Sequence, residues 1–145
     1  MLAVASARAL IGSRQLLPAV WQALSGAGYA SAAGKVVELQ TDAEYESALK
    51  ELSAEKSAAM FDFGAAWCGP CKMIAPVFDG LAAEFPSIRF FKVDIDNDQL
   101  SKTVAANSVA AVPTFVSYVG ADRRSTFSGA DKAMLRKMAM ELSAK

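Results

Sequence analysis

Two cysteines separated by a Gly-Pro pair stand between a short apolar run and a segment whose large apolar residues recur every four positions. Ala58-Ala59-Met60-Phe61-Asp62-Phe63 is apolar at all but one position and has the length of a buried strand. Met73, Val77, Leu81 and Phe85, with Ile74 and Phe78 beside them, read as one helix ended by Pro86. The segment Trp67-Cys68-Gly69-Pro70-Cys71-Lys72 therefore lies where a strand ends and a helix begins. Backbone amides at such a place point outward and carry partial positive charge.

The rest of the chain alternates in the same way. Val36-Val37-Glu38-Leu39 is a short strand, and Thr41-Asp42-Ala43-Glu44 fits a capping box ahead of Tyr45, Ala48, Leu49 and Leu52 at helical spacing. Ile88 to Ile95 is a strand, and residues 98–106 form a weaker helix around Leu100 and Val104. Residues 114–119 and 123–127 read as two strands joined through Gly120-Ala121-Asp122. Asp131 caps a last helix with Met134, Leu135, Met138 and Leu142 on its buried face. The predicted order is βαβαβαββα. Early crossovers imply parallel strand pairs and the late hairpin adds antiparallel ones, so the expected fold is α/β, a mixed central sheet with helices on both faces.

Composition narrows the function. The chain has 145 residues, enough for one domain with a working core, and 53% hydrophobic residues are too many for a disordered protein. Basic and acidic residues balance at 15 each and no basic stripe is present, which speaks against nucleic acid as a partner. No apolar run reaches the roughly 18–20 residues of a membrane span. With no histidine and two cysteines, one chain lacks the ligands for the usual structural zinc site, and no metal or cofactor is expected. A redox pair is the leading chemical reading.

Residues 1–34 differ from the rest. They carry Arg8 and Arg14, many Ala and Ser, and no acid; the first is Glu38. This is the composition of an organelle transit peptide, with a secretory signal the main rival, although Arg8, Arg14 and Pro18 interrupt its candidate apolar cores. The expected organisation is thus a leader and linker over 1–34 and a folded domain over 35–145. Without the two leader arginines, 13 basic residues face 15 acidic ones.

The spacing of the cysteines suggests a division of labour. Cys68, at the helix start, is expected to be the better exposed, with its thiolate stabilised and its pKa below that of a free thiol. Cys71, one turn on, is expected to face inward within reach of the first sulfur. Cys68 would attack a disulfide and Cys71 would release the product by attacking Cys68. Asp62 lies in an apolar strand six positions before Cys68; burial would raise its pKa and let it exchange a proton with Cys71.

Phe61-Asp62-Phe63, Ala65-Ala66-Trp67-Cys68-Gly69-Pro70-Cys71-Lys72, Pro76, Lys92-Val93-Asp94, Val112-Pro113-Thr114 and Gly129 resemble the thioredoxin family in order and spacing, over about residues 36–143. Lys92-Val93-Asp94-Ile95-Asp96 with Ala111-Val112-Pro113-Thr114 and Gly129-Ala130-Asp131 is most similar to o-type mitochondrial thioredoxins of plants and green algae. The resemblance implies a monomeric protein-disulfide reductase recharged by a thioredoxin reductase, acting on disulfide-containing targets, in the mitochondrion or alternatively a plastid. It implies catalytic roles for Cys68, Cys71, Asp62 and Lys92, with Lys92 near the buried acid. It also implies a cis Val112-Pro113 bond facing the cysteines, and an apolar docking surface of Trp67, Gly69, Pro70, Val112, Pro113 and Gly129.

Two positions depart from the pattern. Gly64 stands where many members carry a large aromatic residue, and Ser108 replaces a frequent glycine. Rival readings are a disulfide isomerase or oxidase, and a dimer bridged by an iron–sulfur cluster on four thiolates. Gly-Pro between the cysteines and a chain closing in Ser143-Ala144-Lys145, without a retention signal, argue against the former.

Overall fold

The computed structural model describes residues 33–144, so the reading of residues 1–32 as most of a leader lies outside the described residues. From the N-terminal side run β1 (Val36–Leu39), α1 (Asp42–Glu55), β2 (Ala58–Gly64), α2 (Gly69–Glu84) and β3 (Ile88–Asp94). Then come α3 (Ser101–Ala106, entered through a 3-10 turn at Asp98–Leu100), β4 (Thr114–Val119), β5 (Asp122–Ser128) and α4 (Lys132–Ser143). This is the predicted order.

The sheet runs β1-β3-β2-β4-β5. β3 pairs parallel with both β1 and β2, and β4 pairs antiparallel with both β2 and β5. β2 is therefore central, flanked by one parallel and one antiparallel neighbour, which explains its nearly continuous apolar sequence: both of its faces are covered. Alternation along β2 sends Met60 to one face, where it joins Phe90 and Phe115 with Ile74, Phe78 and Leu81 of α2 and Leu135, Met138 and Leu142 of α4. Phe61 points to the other, its ring 5.2, 4.9 and 5.4 Å from those of Tyr45, Phe91 and Tyr118. Fully burying one such ring contributes about 1.5–3 kcal/mol.

Among the described residues, the polar side chains taken inside are paired except at Asp62 Oδ1. The Tyr45 and Tyr118 hydroxyls lie 3.1 Å apart, the Asn107 amide donates to Tyr45 at 2.9 Å, and Tyr118 donates to Asn107 Oδ1 at 2.9 Å. Burial pushes the Tyr45 phenol above its ordinary range. Asp42 accepts from both the amide (2.8 Å) and the hydroxyl (2.6 Å) of Thr103, tying α1 to α3, and these bonds hold its carboxyl below the usual range.

Side-chain direction is where periodicity misled. Met73 is 71% exposed, and the buried face of α2 is instead Cys71, Ile74, Phe78, Leu81 and Ala82. A strict four-residue step drifts around a helix of 3.6 residues per turn, so the stripe beginning at Met73 starts in solvent. Phe85 caps α2 from outside it. In α3 the buried residue is Thr103, held by Asp42, and Val104 is half-buried. Met134 is exposed on α4, where Ala139 takes a buried place. β3 stops at Asp94, and Asp122 pairs with Val119 inside the hairpin, leaving a tighter turn at Gly120, whose φ of +61° suits glycine.

The capping box forms with a shift. Thr41 Oγ1 accepts from the Glu44 amide at 3.2 Å, while the Glu44 carboxylate reaches back to the amide of Gln40 at 2.6 Å. Thr41→Ala is expected to lower stability by about 1 kcal/mol, measured as a lower urea midpoint at unchanged slope. An unchanged midpoint would show that the cap contributes nothing.

Candidate active site

β2 ends at Gly64 and α2 begins at Gly69, and the turn between them carries the cysteines. Cys68 is the N-cap of α2: its backbone is extended and its sulfur accepts the Cys71 amide at 3.1 Å. Pro70 falls in the first turn, where its missing N–H has no helical partner to lose. Cys68 and Cys71 form a disulfide with Cα atoms 5.2 Å apart. In this oxidised state both are covered, at 3% and 9% exposure, so the expected ranking with Cys68 the more exposed is reversed.

Val112 packs, with Ile95, against the cluster of Ala65, Cys68 and Cys71. The Val112-Pro113 bond is cis. Gly129, at φ +109°, donates its amide to the Pro113 carbonyl at 2.8 Å, and Thr114 braces the same loop by donating to Ala111 O at 2.6 Å, with the Ser128 hydroxyl 2.7 Å away. Gly69 and Pro70 are exposed beside the disulfide, and Trp67 is 69% exposed. Its indole N–H donates to Asp96 Oδ2 at 2.7 Å, which fixes a large apolar plate in place. Asp96 was missed as a site residue. The sequence hint was only that an exposed indole wants an acceptor, and a separation of 29 positions hides which one supplies it.

Asp62 is 3% exposed, and its Oδ1 has no hydrogen-bond partner within the chain. Desolvation pushes its carboxyl up to about 6; the Lys92 charge pulls it down and that of Asp79 adds to the rise. Lys92 is its registered neighbour on β3 and is itself exposed. Asp62, Gly64 and Cys71 share a cavity of about 290 Å³ with Lys72, Lys92 and Asp94. Of the two departures from the family pattern, Ser108 keeps a left-handed backbone at φ +54°, so the loop retains the conformation glycine favours. Gly64 leaves space: a Cβ there would stand 3.4 Å from the Cys71 sulfur and 3.7 Å from Asp62 Oδ1.

Comparison with known proteins agrees with this geometry. The thioredoxin family model matches residues 36–141. "Thioredoxin O2, mitochondrial" of Arabidopsis thaliana is 36% identical over 106 residues, covering 73% of this chain and 67% of the relative. "Thioredoxin O1, mitochondrial" of the same plant is 33% identical over 107 residues, and the match takes in 74% of this chain but 55% of that relative's length. The crystal structure of oxidised thioredoxin O2 from Arabidopsis thaliana superposes with a TM-score of 0.70 at 34% identity, covering 76% of this chain and 96% of that one. The match runs from β1 into α4 and carries the Cys-Gly-Pro-Cys turn at the mouth of α2, so the chain belongs to the thioredoxin family.

Proposed function

We propose that the chain reduces disulfides in other proteins by dithiol–disulfide exchange, with Cys68 as the attacking thiol and Cys71 as the resolving one. The observation that carries this reading is the Cys68 sulfur capping α2, held by the Cys71 amide, with its partner sulfur one turn along the helix and bonded to it. A thiolate at that cap is stabilised by the amide and by the helix dipole. In the reduced protein Cys68 attacks one sulfur of a target disulfide; a sulfur–sulfur bond forms to the target, the target's own bond breaks, and its leaving thiolate takes a proton. Cys71 gives its proton to the Asp62 carboxylate and attacks Cys68, closing the internal disulfide and expelling the second target thiolate. Lys92 biases Asp62 toward its charged form.

Docking uses the uncovered rim of the pair. Trp67, Gly69 and Pro70, which are exposed, with the half-buried Val112 and Gly129, offer an apolar surface suited to an extended target segment, whereas Pro113, expected on the same surface, is itself buried. A thioredoxin reductase restores the dithiol. The decisive assay is reduction of insulin with thioredoxin reductase and its electron donor, for which continuous turnover is expected; failure with both NADPH- and ferredoxin-dependent reductases would sink the reading. Cys71→Ser is expected to accumulate mixed disulfides with target proteins, seen as adducts on non-reducing gels that vanish with dithiothreitol. Absence of adducts would remove Cys71 from the resolving role.

Residues 1–34 fit an import leader, and the two Arabidopsis relatives are named mitochondrial, which supports a mitochondrial location. Imaging those residues fused to a fluorescent protein separates mitochondrion from plastid.

A further inference from the structure

The cavity behind the disulfide lies apart from the rim proposed for docking. Its wall includes Cys71 but neither Cys68 nor Trp67, Pro70, Val112 or Pro113, and the charged residues Glu38, Lys72 and Lys92 in that wall are solvent-exposed. Its volume of about 290 Å³ corresponds to roughly ten water molecules, too little for a protein segment and ample for a small solute. At its inner end Asp62 Oδ1 is buried without a partner and can accept a hydrogen bond from an O–H group. Gly64 is what keeps the sulfur uncovered on this side, since a Cβ there would already touch Cys71 Sγ at 3.4 Å and anything longer would extend into the cavity. Two lysines against three carboxyls form no cationic nest, so the lining suits an uncharged guest.

We propose that this cavity is a side entrance through which a small uncharged hydroperoxide, hydrogen peroxide being the smallest, reaches Cys71 and oxidises the reduced pair without using the docking rim. Asp62 accepts the Cys71 proton, and the thiolate attacks the terminal oxygen of the hydroperoxide. A sulfur–oxygen bond forms, the oxygen–oxygen bond breaks, and the leaving oxygen takes the proton back as water or an alcohol. Cys68 thiolate then attacks the sulfenic sulfur of Cys71; the sulfur–sulfur bond closes, the sulfur–oxygen bond breaks, and the departing hydroxide becomes water with a proton from solvent that replaces the one Cys68 released there on ionising. The dithiol is oxidised by two electrons and the hydroperoxide is reduced by two.

The test uses reduced Cys68→Ser protein, in which exchange with targets plays no part, so the outcome is independent of the proposed reductase activity. Hydrogen peroxide is added, and sulfenic acid at Cys71 is trapped with dimedone and followed by mass spectrometry. Adding Gly64→Leu is expected to slow Cys71 oxidation by about tenfold or more, and Gly64→Ala by about two- to threefold. In the Cys71→Ser background, Gly64→Leu is expected to change alkylation of Cys68 by iodoacetamide by less than about twofold, separating a closed entrance from a disturbed fold. Equal oxidation rates with glycine and leucine at position 64 overturn the proposal. Should leucine unfold the domain, equal rates with glycine and alanine overturn it instead.

Discussion

Cys68→Ser lowers insulin reduction by at least about a thousandfold, because an alcohol at the helix mouth stays protonated where a thiol ionises. The substitution isolates chemistry from folding. Serine is a good N-cap and its hydroxyl can accept the same Cys71 amide that Cys68 accepts at 3.1 Å. Stability measured against the reduced wild-type protein should therefore change by less than about 1 kcal/mol. Retention of about a tenth of wild-type turnover would contradict the nucleophile assignment.

Asp62→Asn raises stability at alkaline pH and leaves it nearly unchanged in acid. Desolvation above all pushes the Asp62 carboxyl up from the ordinary 3.8 to about 6 in the fold. A raised acid pKa means the folded state holds its proton to higher pH than the unfolded state does. The associated stability is fully present below about pH 4, declines as pH rises, and is lost above about pH 6. At about 1.4 kcal/mol per pK unit, the buried charge costs roughly 3 kcal/mol at pH 8, and asparagine removes that cost. Urea midpoints at pH 4 and pH 8 check this; equal wild-type-to-variant differences at the two pH values would mean that Asp62 is hydrated far more than its 3% exposure indicates. The same variant should slow the release of mixed disulfides, since Cys71 loses its proton acceptor.

The order of elements and the chemistry of the turn were legible because both are local. β2 could be read from an unbroken apolar run, and the sheet makes it a central strand covered on both faces. The cap at Thr41 was legible because its partners lie within four residues. Directions of side chains were less so: the four-residue stripe through Met73 and the placements of Val104 and Met134 followed period alone. Tertiary neighbours, such as Asp42 beside Thr103, choose which helix face is buried.

By itself, the sequence determined that two thiols sit at the start of a helix, because a strand, a Gly-Pro turn and a helix follow one another within residues 58–84, and each is dictated by neighbours along the chain. Tertiary structure alone decided what surrounds those thiols. Val112 and Gly129 come to the pair from 44 and 61 residues beyond Cys68, Asp96 comes to Trp67, and the gap left by Gly64 opens onto Asp62 and Cys71. The physical reason is that desolvation, orphaned acceptors and empty volume are properties of where strands pair and faces meet, and no single stretch of chain contains them.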